Sequence, residues 1–401
     1  MRKISLLSAL LMLFGLTATA QEYISVGEVL VPQGRQSMLE VRFHFDKGHD
    51  YVSYQFTVNL PDGISLVTKS NGKVPVTLGD GQDEEICTLD LNADTHILTC
   101  YTNPSTPIGG TDGLLVCIPI QADGDKVSAG DELEGSLTEV EFTHNEGAVR
   151  QPFDAASFTI KVTDKIILDE SYTWVPFATD EDCDIKVIRT INANEWSTIC
   201  LPFDIDAAQF KQIFGNDVQL ASYTSYKTEK EGTDVIGITL NFEDVDLDED
   251  DFETNTPYLI KTSKKIDEFT ITATIEPDDV KVGSKSKGWF IGTYQAGTVV
   301  PENSLFLSEN KFYYSTGKTK MKGFRAYFTL KDVLADVSQS GARIFLSVGD
   351  ETTEIHPVQM GTDDDGWYTL SGLKLDKKPA ATGVYIHRGE KVVINEERMR
   401  K

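Results

Sequence analysis

The stretch Tyr51-Val52-Ser53-Tyr54-Gln55-Phe56-Thr57-Val58-Asn59-Leu60, closed by Pro61-Asp62-Gly63, decides the fold class. It alternates with a period of two. Val52, Tyr54, Phe56, Val58 and Leu60 share one face; Tyr51, Ser53, Gln55, Thr57 and Asn59 share the other. That is a strand with one face on a core and one in water, and Pro61-Asp62-Gly63 is a turn. The same grammar recurs along the chain. Leu114, Val116, Ile118 and Ile120 mark another inward face, and Ala156 to Val162 reads as a further strand. Only Ala207 to Phe214 reads as a helix, and no glycine-rich phosphate loop joins a strand to a helix. Short strands at regular spacing, with few helices, predict an all-β protein built of sandwiches or barrels.

Working outward, the first residues read as an address. Arg2 and Lys3 precede the apolar run Leu6–Leu16, and Thr17-Ala18-Thr19-Ala20 offers small residues before Gln21. This is the form of a secretory signal peptide. The run is shorter than the roughly 20 residues that a membrane span needs. No later stretch is long and apolar enough, so no transmembrane segment is expected. The chain of 401 residues carries a formal charge of −26, more negative still once Arg2 and Lys3 leave. Such a surface repels phosphate backbones and excludes nucleic acid as a partner.

Five cysteines, Cys87, Cys100, Cys117, Cys183 and Cys200, form no Cys-x-x-Cys pair, so no zinc site is expected. The runs Ile86–Leu91 and His96–Tyr101 alternate on either side of Asn92-Ala93-Asp94-Thr95. A symmetric hairpin would set Cys87 opposite Cys100 and Leu89 opposite Leu98, all on one face. Directly opposed side chains lie about 4.5–5.5 Å apart, which allows a disulfide. Two buried free thiols on an apolar face are the alternative.

Punctuation divides the chain into a signal peptide at 1–20, a β-sandwich at 21–164 and a second β-rich domain at 165–350. A linker at 351–366 includes Asp363-Asp364-Asp365, and a short β-hairpin element follows at 367–401. Arg388-Gly389 supplies the hairpin turn. Trp196, Trp289 and Phe203 read as core residues, whereas Trp174 and Trp367 lie beside linkers.

Several phrases resemble known families. Ser25-Val26-Gly27 through Leu39-Glu40-Val41-Arg42-Phe43, the Val52–Pro61 strand, Gly110-Thr111-Asp112-Gly113-Leu114-Leu115-Val116 and Phe153-Asp154-Ala155-Ala156 resemble the cohesin-like and carbohydrate-binding-module-like sandwich. That resemblance covers about a third of the chain. It implies a partner that is a polysaccharide or a protein module such as a dockerin. Trp196-Ser197-Thr198-Ile199-Cys200-Leu201-Pro202-Phe203 and Thr256-Pro257-Tyr258-Leu259-Ile260-Lys261 are similar to a β-rich module of exported proteins of Gram-negative gut anaerobes. Tyr368-Thr369-Leu370-Ser371-Gly372-Leu373-Lys374 and Gly383-Val384-Tyr385-Ile386 resemble a type IX secretion sorting tail, although this one is short and ends in Glu396-Glu397-Arg398-Met399-Arg400-Lys401.

Chemistry leaves few signs. The six histidines are scattered, and no serine sits in a Gly-x-Ser-x-Gly context. No catalytic residue, enzyme activity or cofactor is expected. Asp244, Asp246 and Asp248 match positions 1, 3 and 5 of a calcium loop, but Glu249 stands where the turn needs glycine and Asn255 where the loop needs glutamate. A solvated acidic turn is the simpler reading. Ligand contacts are placed on Tyr51, Gln55 and Asn59 of the outward face, with Tyr101 beside them, against the alternative of an ordinary polar sheet face. The expected function is a non-catalytic exported binding or adhesion protein. A ligand-free spacer comes second and a glycan-active enzyme third.

Overall fold

The computed structural model describes residues 22–330 apart from 233, residues 343–349 and 351–355, and short stretches between 367 and 394. The leader expected at 1–20 lies outside the described residues. The protein is all-β: among the described residues the helical pieces are Ala207–Phe214 and one 3-10 turn, Glu146–Ala148. The chain divides into two compact units, Met1–Thr163 and Asp164–Lys401.

Among its described residues the first unit holds twelve strands: β1 (Tyr23–Val26), β2 (Val29–Pro32), β3 (Gln36–His44), β4 (Tyr51–Asn59), β5 (Ile64–Leu66), β6 (Thr77–Leu78), β7 (Cys87–Leu91), β8 (Ile97–Thr102), β9 (Asp112–Ala122), β10 (Glu132–His144), β11 (Arg150–Pro152) and β12 (Ala156–Thr163). One sheet runs β1-β3-β9-β5, with β6 also on β9. The other runs β2-β12-β10-β4-β8-β7, with β11 on β10. One apolar cluster joins them. It takes Leu39, Val41, Val116, Ile118 and Ile120 from the first sheet and Tyr54, Phe56, Val58, Leu137, Phe142 and Ile160 from the second. Two sheets closed on one core make a β-sandwich. Strand β9 is buried on both faces, so it reads as a continuous apolar run. Gly135 of β10 faces Phe158, and a Cβ there would come within 2.4 Å of the phenyl ring.

Two expectations fail here for local reasons. The β7–β8 hairpin pairs Leu89 with Cys100 and Cys87 with Thr102, so Cys87 and Cys100 are not opposed. The loop is longer than a symmetric reading allows. The Asn92 side chain accepts the N–H groups of Asp94 and Thr95, and His96 takes a left-handed φ of 58° as part of the turn. Both thiols are free, and burial first of all pushes Cys100 up to about 12. Strand β4 carries the second departure. Ser53 pairs with Thr143, but Tyr51 pairs with His144, so β4 holds an extra residue at Val52. That bulge reverses the alternation. Tyr51 therefore turns into the core and is buried, where an outward position was expected.

The second unit is built from several sheets. One has three strands, Ile166–Asp169, Cys183–Ile191 and Ile266–Ala273. A six-stranded sheet includes Ser197–Ile199 paired with Tyr258–Lys261, so the two phrases singled out in this region are neighbours. A five-stranded sheet contains Gly288–Thr293 and Arg325–Thr329. The helix Ala207–Phe214 is capped by Asp206, whose carboxylate accepts the Gln209 N–H at 2.8 Å. It buries Phe210 and Phe214 against Phe252 and Phe269. Phe203 is buried and Trp196 packs partly against a core cluster. Trp289 instead stays half-exposed, with the Lys281 ammonium 3.9 Å from its ring centre.

A charged knot lies inside this unit. Arg189 is wholly buried and Glu170 nearly so. Glu170 accepts from Arg325 at 2.8 Å, Lys322 at 2.9 Å and Arg189 at 3.3 Å. Arg189 also donates to the carbonyls of Thr198 and Phe324. Burial pushes the Glu170 carboxyl up, but Arg325, Arg189 and Lys322 together outweigh it and hold the group below its ordinary range.

The region read as a linker opens with the strand Glu351–Ile355, paired with Arg343–Val348; residues 356–366 lie outside the described ones. Beyond it Lys374–Leu375, Trp367–Thr369, Gly383–His387 and Glu390–Ile394 form a four-stranded antiparallel sheet. Its last two strands pair His387 with Glu390 as a hairpin, and residues 388–389 lie outside the described ones.

Candidate functional site

The outward face of the β2-β12-β10-β4-β8-β7 sheet carries three of the four residues assigned to ligand contact. Tyr101 is 52% exposed and sits between Ser53 of β4 and Thr88 of β7. Gln55 lies one pair further along, between Thr99 and Glu141. Asn59 is four residues beyond Gln55, about 13 Å along the strand. Ile97, 39% exposed, pairs with Thr57 on the same face. The result is a row of hydroxyls, amides and carboxylates with one exposed aromatic ring.

The polar groups of this face hold one another. Gln55 Nε2 donates to Glu141 Oε2 at 3.2 Å, and Arg150 Nη1 donates to the same carboxylate at 3.2 Å. Thr57 Oγ1 donates to Glu139 Oε2 at 2.9 Å. Asn59 Nδ2 donates to Thr138 Oγ1 at 2.8 Å and reaches Ser136 at 3.3 Å. Such a ladder fixes the side chains without spending entropy on binding. Tyr51 does not belong to it. Its hydroxyl donates to Glu22 Oε2 at 2.5 Å behind the sheet.

Sequence reading missed what Tyr51 joins. The ends of β3 and β10 and the starts of β4 and β9 meet at one end of the sandwich, bringing His44 and His49 together with the sequence-distant His144. His44 Nδ1 lies 2.5 Å from Asp112 and His49 Nε2 2.6 Å from the Gly110 carbonyl. His144 Nδ1 lies 2.5 Å from Asp50 Oδ1, and its Nε2 lies 3.0 Å from Gln151 Oε1. The rings of Tyr51 and His144 are 4.6 Å apart. Gln151, then Asp50, hold His144 above its ordinary pKa. The Glu146 backbone N–H, then His144, hold Asp50 below its own. With oxygen acceptors on both ring nitrogens, the imidazole is a two-way donor in its cationic form. Chemically this is a clamp that fastens the 145–150 turn. No spacing in the sequence signals it.

The calcium candidates do not converge. Asp246 Oδ1 accepts the Asp248 N–H at 3.0 Å, closing its own turn. Asp248 pairs with the Lys211 ammonium at 2.5 Å, which lowers its pKa, and Asp244 ends a strand. A lysine already meets one of these charges. Among the described residues no group of three or more His, Cys, Asp or Glu side chains is arranged to hold a metal ion, and no helix is long and apolar enough to cross a membrane.

No protein-family model matches the chain, and no curated protein matches its sequence. Solved structures similar to it are cohesin domains. The third cohesin of ScaC from Acetivibrio cellulolyticus, in complex with the ScaB dockerin, is 11% identical, with a TM-score of 0.29 over 36% of this chain and 99% of that one. The seventh ScaB type I cohesin from Pseudobacteroides cellulosolvens is 13% identical, with a TM-score of 0.28 over 36% and 94%. A non-cellulosomal cohesin from Archaeoglobus fulgidus is 14% identical, with a TM-score of 0.26 over 35% and 91%. At such identities and scores the likeness carries no inference about what this chain binds.

Proposed function

We propose that the chain is a non-catalytic binding or adhesion protein that works outside the cytoplasm, and that its first unit engages a polysaccharide through the outward face around Tyr101. The observation that supports this is the exposed Tyr101 ring, with Ile97 beside it, standing on a sheet face otherwise made of amides, hydroxyls and the Glu139, Glu141 and Arg150 charges. An extended polar chain could lie along β4 and β8 while one sugar ring stacks on the phenol. Export rests on the leader at 1–20, and the carboxy-terminal piece at 367–401 is proposed as a sorting element.

One observation favours a ligand-free spacer instead. The amides of Gln55 and Asn59 are already committed to Glu141, Ser136 and Thr138, so a ligand would have to compete for them. A glycan array probed with the full chain and with Tyr101→Ala separates the readings. Glycan binding that falls at least about tenfold on loss of the ring, the worth of one good aromatic contact, supports the sheet face. Capture of a protein module with a silent array redirects the ligand class. Silence in both assays favours the spacer.

A further inference from the structure

A second aromatic surface stands apart from every core. Between the strands Ile166–Asp169 and Cys183–Ile191, the segment 170–182 carries Tyr172, Trp174 and Phe177, all half-buried, with Val175 exposed beside them. The Tyr172 and Trp174 rings stack with centroids 5.1 Å apart and planes 17° apart, and Phe177 leans on Trp174 at 5.6 Å. Among the described residues, none of the three belongs to, or packs against, the four clusters of buried apolar side chains. Three aromatic rings within six residues, set on one another and left partly in water, are not explained by core packing.

The segment is held in place. Its Glu170 carbonyl accepts the Gly323 N–H at 2.8 Å, and its Tyr172 carbonyl accepts the Ala296 N–H at 2.7 Å. Thr179 N–H donates to the Ile275 carbonyl at 2.9 Å. A fixed aromatic platform loses little freedom when something stacks on it. Charge narrows the ligand. No lysine or arginine lies between Lys165 and Lys186, while Asp169, Asp180, Glu181 and Asp182 do, and Lys322 next to Gly323 is tied to Glu170, so the segment itself repels an anion. The two stacked faces leave no gap for a cation to sit between rings, which an aromatic cage requires. A hydroxyl and a carboxylate stand just before the stack in sequence: exposed Ser171, whose hydroxyl donates to Asp169 at 2.6 Å, and the side chain of Asp169 itself. An apolar face bordered by acceptors and hydroxyls suits a neutral, polyhydroxylated ring.

We propose that the Tyr172–Trp174–Phe177 stack is a carbohydrate-stacking site that takes a neutral sugar ring by its C–H face. It lies in a different unit from the sheet face around Tyr101 and stands or falls independently of it. The test is affinity gel electrophoresis of the full chain against soluble amylopectin, xyloglucan, mannan and laminarin, followed by calorimetry on any polymer that retards it. Trp174→Ala should weaken that binding at least about tenfold, Trp174→Tyr should restore most of it, and Tyr101→Ala should leave it unchanged. Equal melting temperatures for the two Trp174 variants would show that the loss is local. The proposal is overturned if none of the four polymers retards the chain, or if Trp174→Ala binds as the parent does. It is also overturned if tetramethylammonium displaces the polymer, which would make the stack a cation site.

Discussion

The two units treat polar groups in opposite ways. Among the described residues, the first buries one non-aromatic polar side chain, Ser37, whose hydroxyl simply answers the Leu30 carbonyl at 2.7 Å. Its charged pairs, such as His144 with Asp50 and Arg150 with Glu141, keep contact with water. The second unit places Arg189 and Glu170 in its interior. A core of apolar faces can be read from alternation and tolerates many volume-conserving changes. A core with a charge inside cannot lose one partner cheaply, because the other is left buried and uncompensated. The lesson is that two β-rich units of one chain can have different weak points.

The contrast is open to direct attack, and the largest effect should come from the second unit. Glu170→Gln keeps the shape but removes the charge that three cations share, and should cost about 3–5 kcal/mol. Chemical denaturation should show the loss in the second unit's transition while the first unit's midpoint stays put; a shift in both would mean that the units do not unfold separately. The first unit should be most sensitive to volume. Gly135→Ala drives a methyl into the Phe158 ring and should cost about 1–3 kcal/mol, read as a lowered midpoint of the first transition alone. A smaller effect is expected at Asp206→Ala, which removes the cap of Ala207–Phe214 and should cost about 1 kcal/mol, again confined to the second unit.

The smallest effect separates the units by pH. The His144 pKa is raised on folding from 6.5, so its contribution is complete below that value and fades as pH rises through the folded value. Asp50 is lowered from 3.8 and Glu170 from 4.5, so their contributions are complete above those values and fade as pH falls. Between pH 6 and 8 the first unit should therefore lose melting temperature while the carboxylate at the centre of the second keeps its full effect. His144→Gln should flatten the slope of the first transition. A slope that survives this change would place its cause elsewhere.

Much of the first unit was legible, and its failures are local. The alternation of Tyr54, Phe56 and Val58 survives intact in β4, and Ala207–Phe214 is the helix that the sequence indicates. Tyr51 misleads because a bulge at Val52 depends on its partner strand β10, which lies some ninety residues away, and no local pattern reports it. Cys87 and Cys100 mislead because one residue, His96, joins the turn in a left-handed conformation that is more usual for glycine or asparagine. The polar face around Gln55 and Asn59 was visible as a pattern, but the bonds that occupy its amides were not. The Glu170 knot was invisible for a plainer reason. Its members come from residues 170, 189, 322 and 325, and nothing about a glutamate in sequence says that it will be enclosed.

Strand β12 pairs in parallel with β2, Ile160 beside Val29 and Val162 beside Val31, and antiparallel with β10. The last strand of the unit thus fastens the second one. Synthesis runs at about 5–20 residues per second, so β2 waits several seconds for the strand that completes its sheet. During that wait the backbone groups of β2 lack the ladder that β12 gives them. Under the export proposed above, such lateness would be useful: the unit would finish folding only after its own last strand had followed it through.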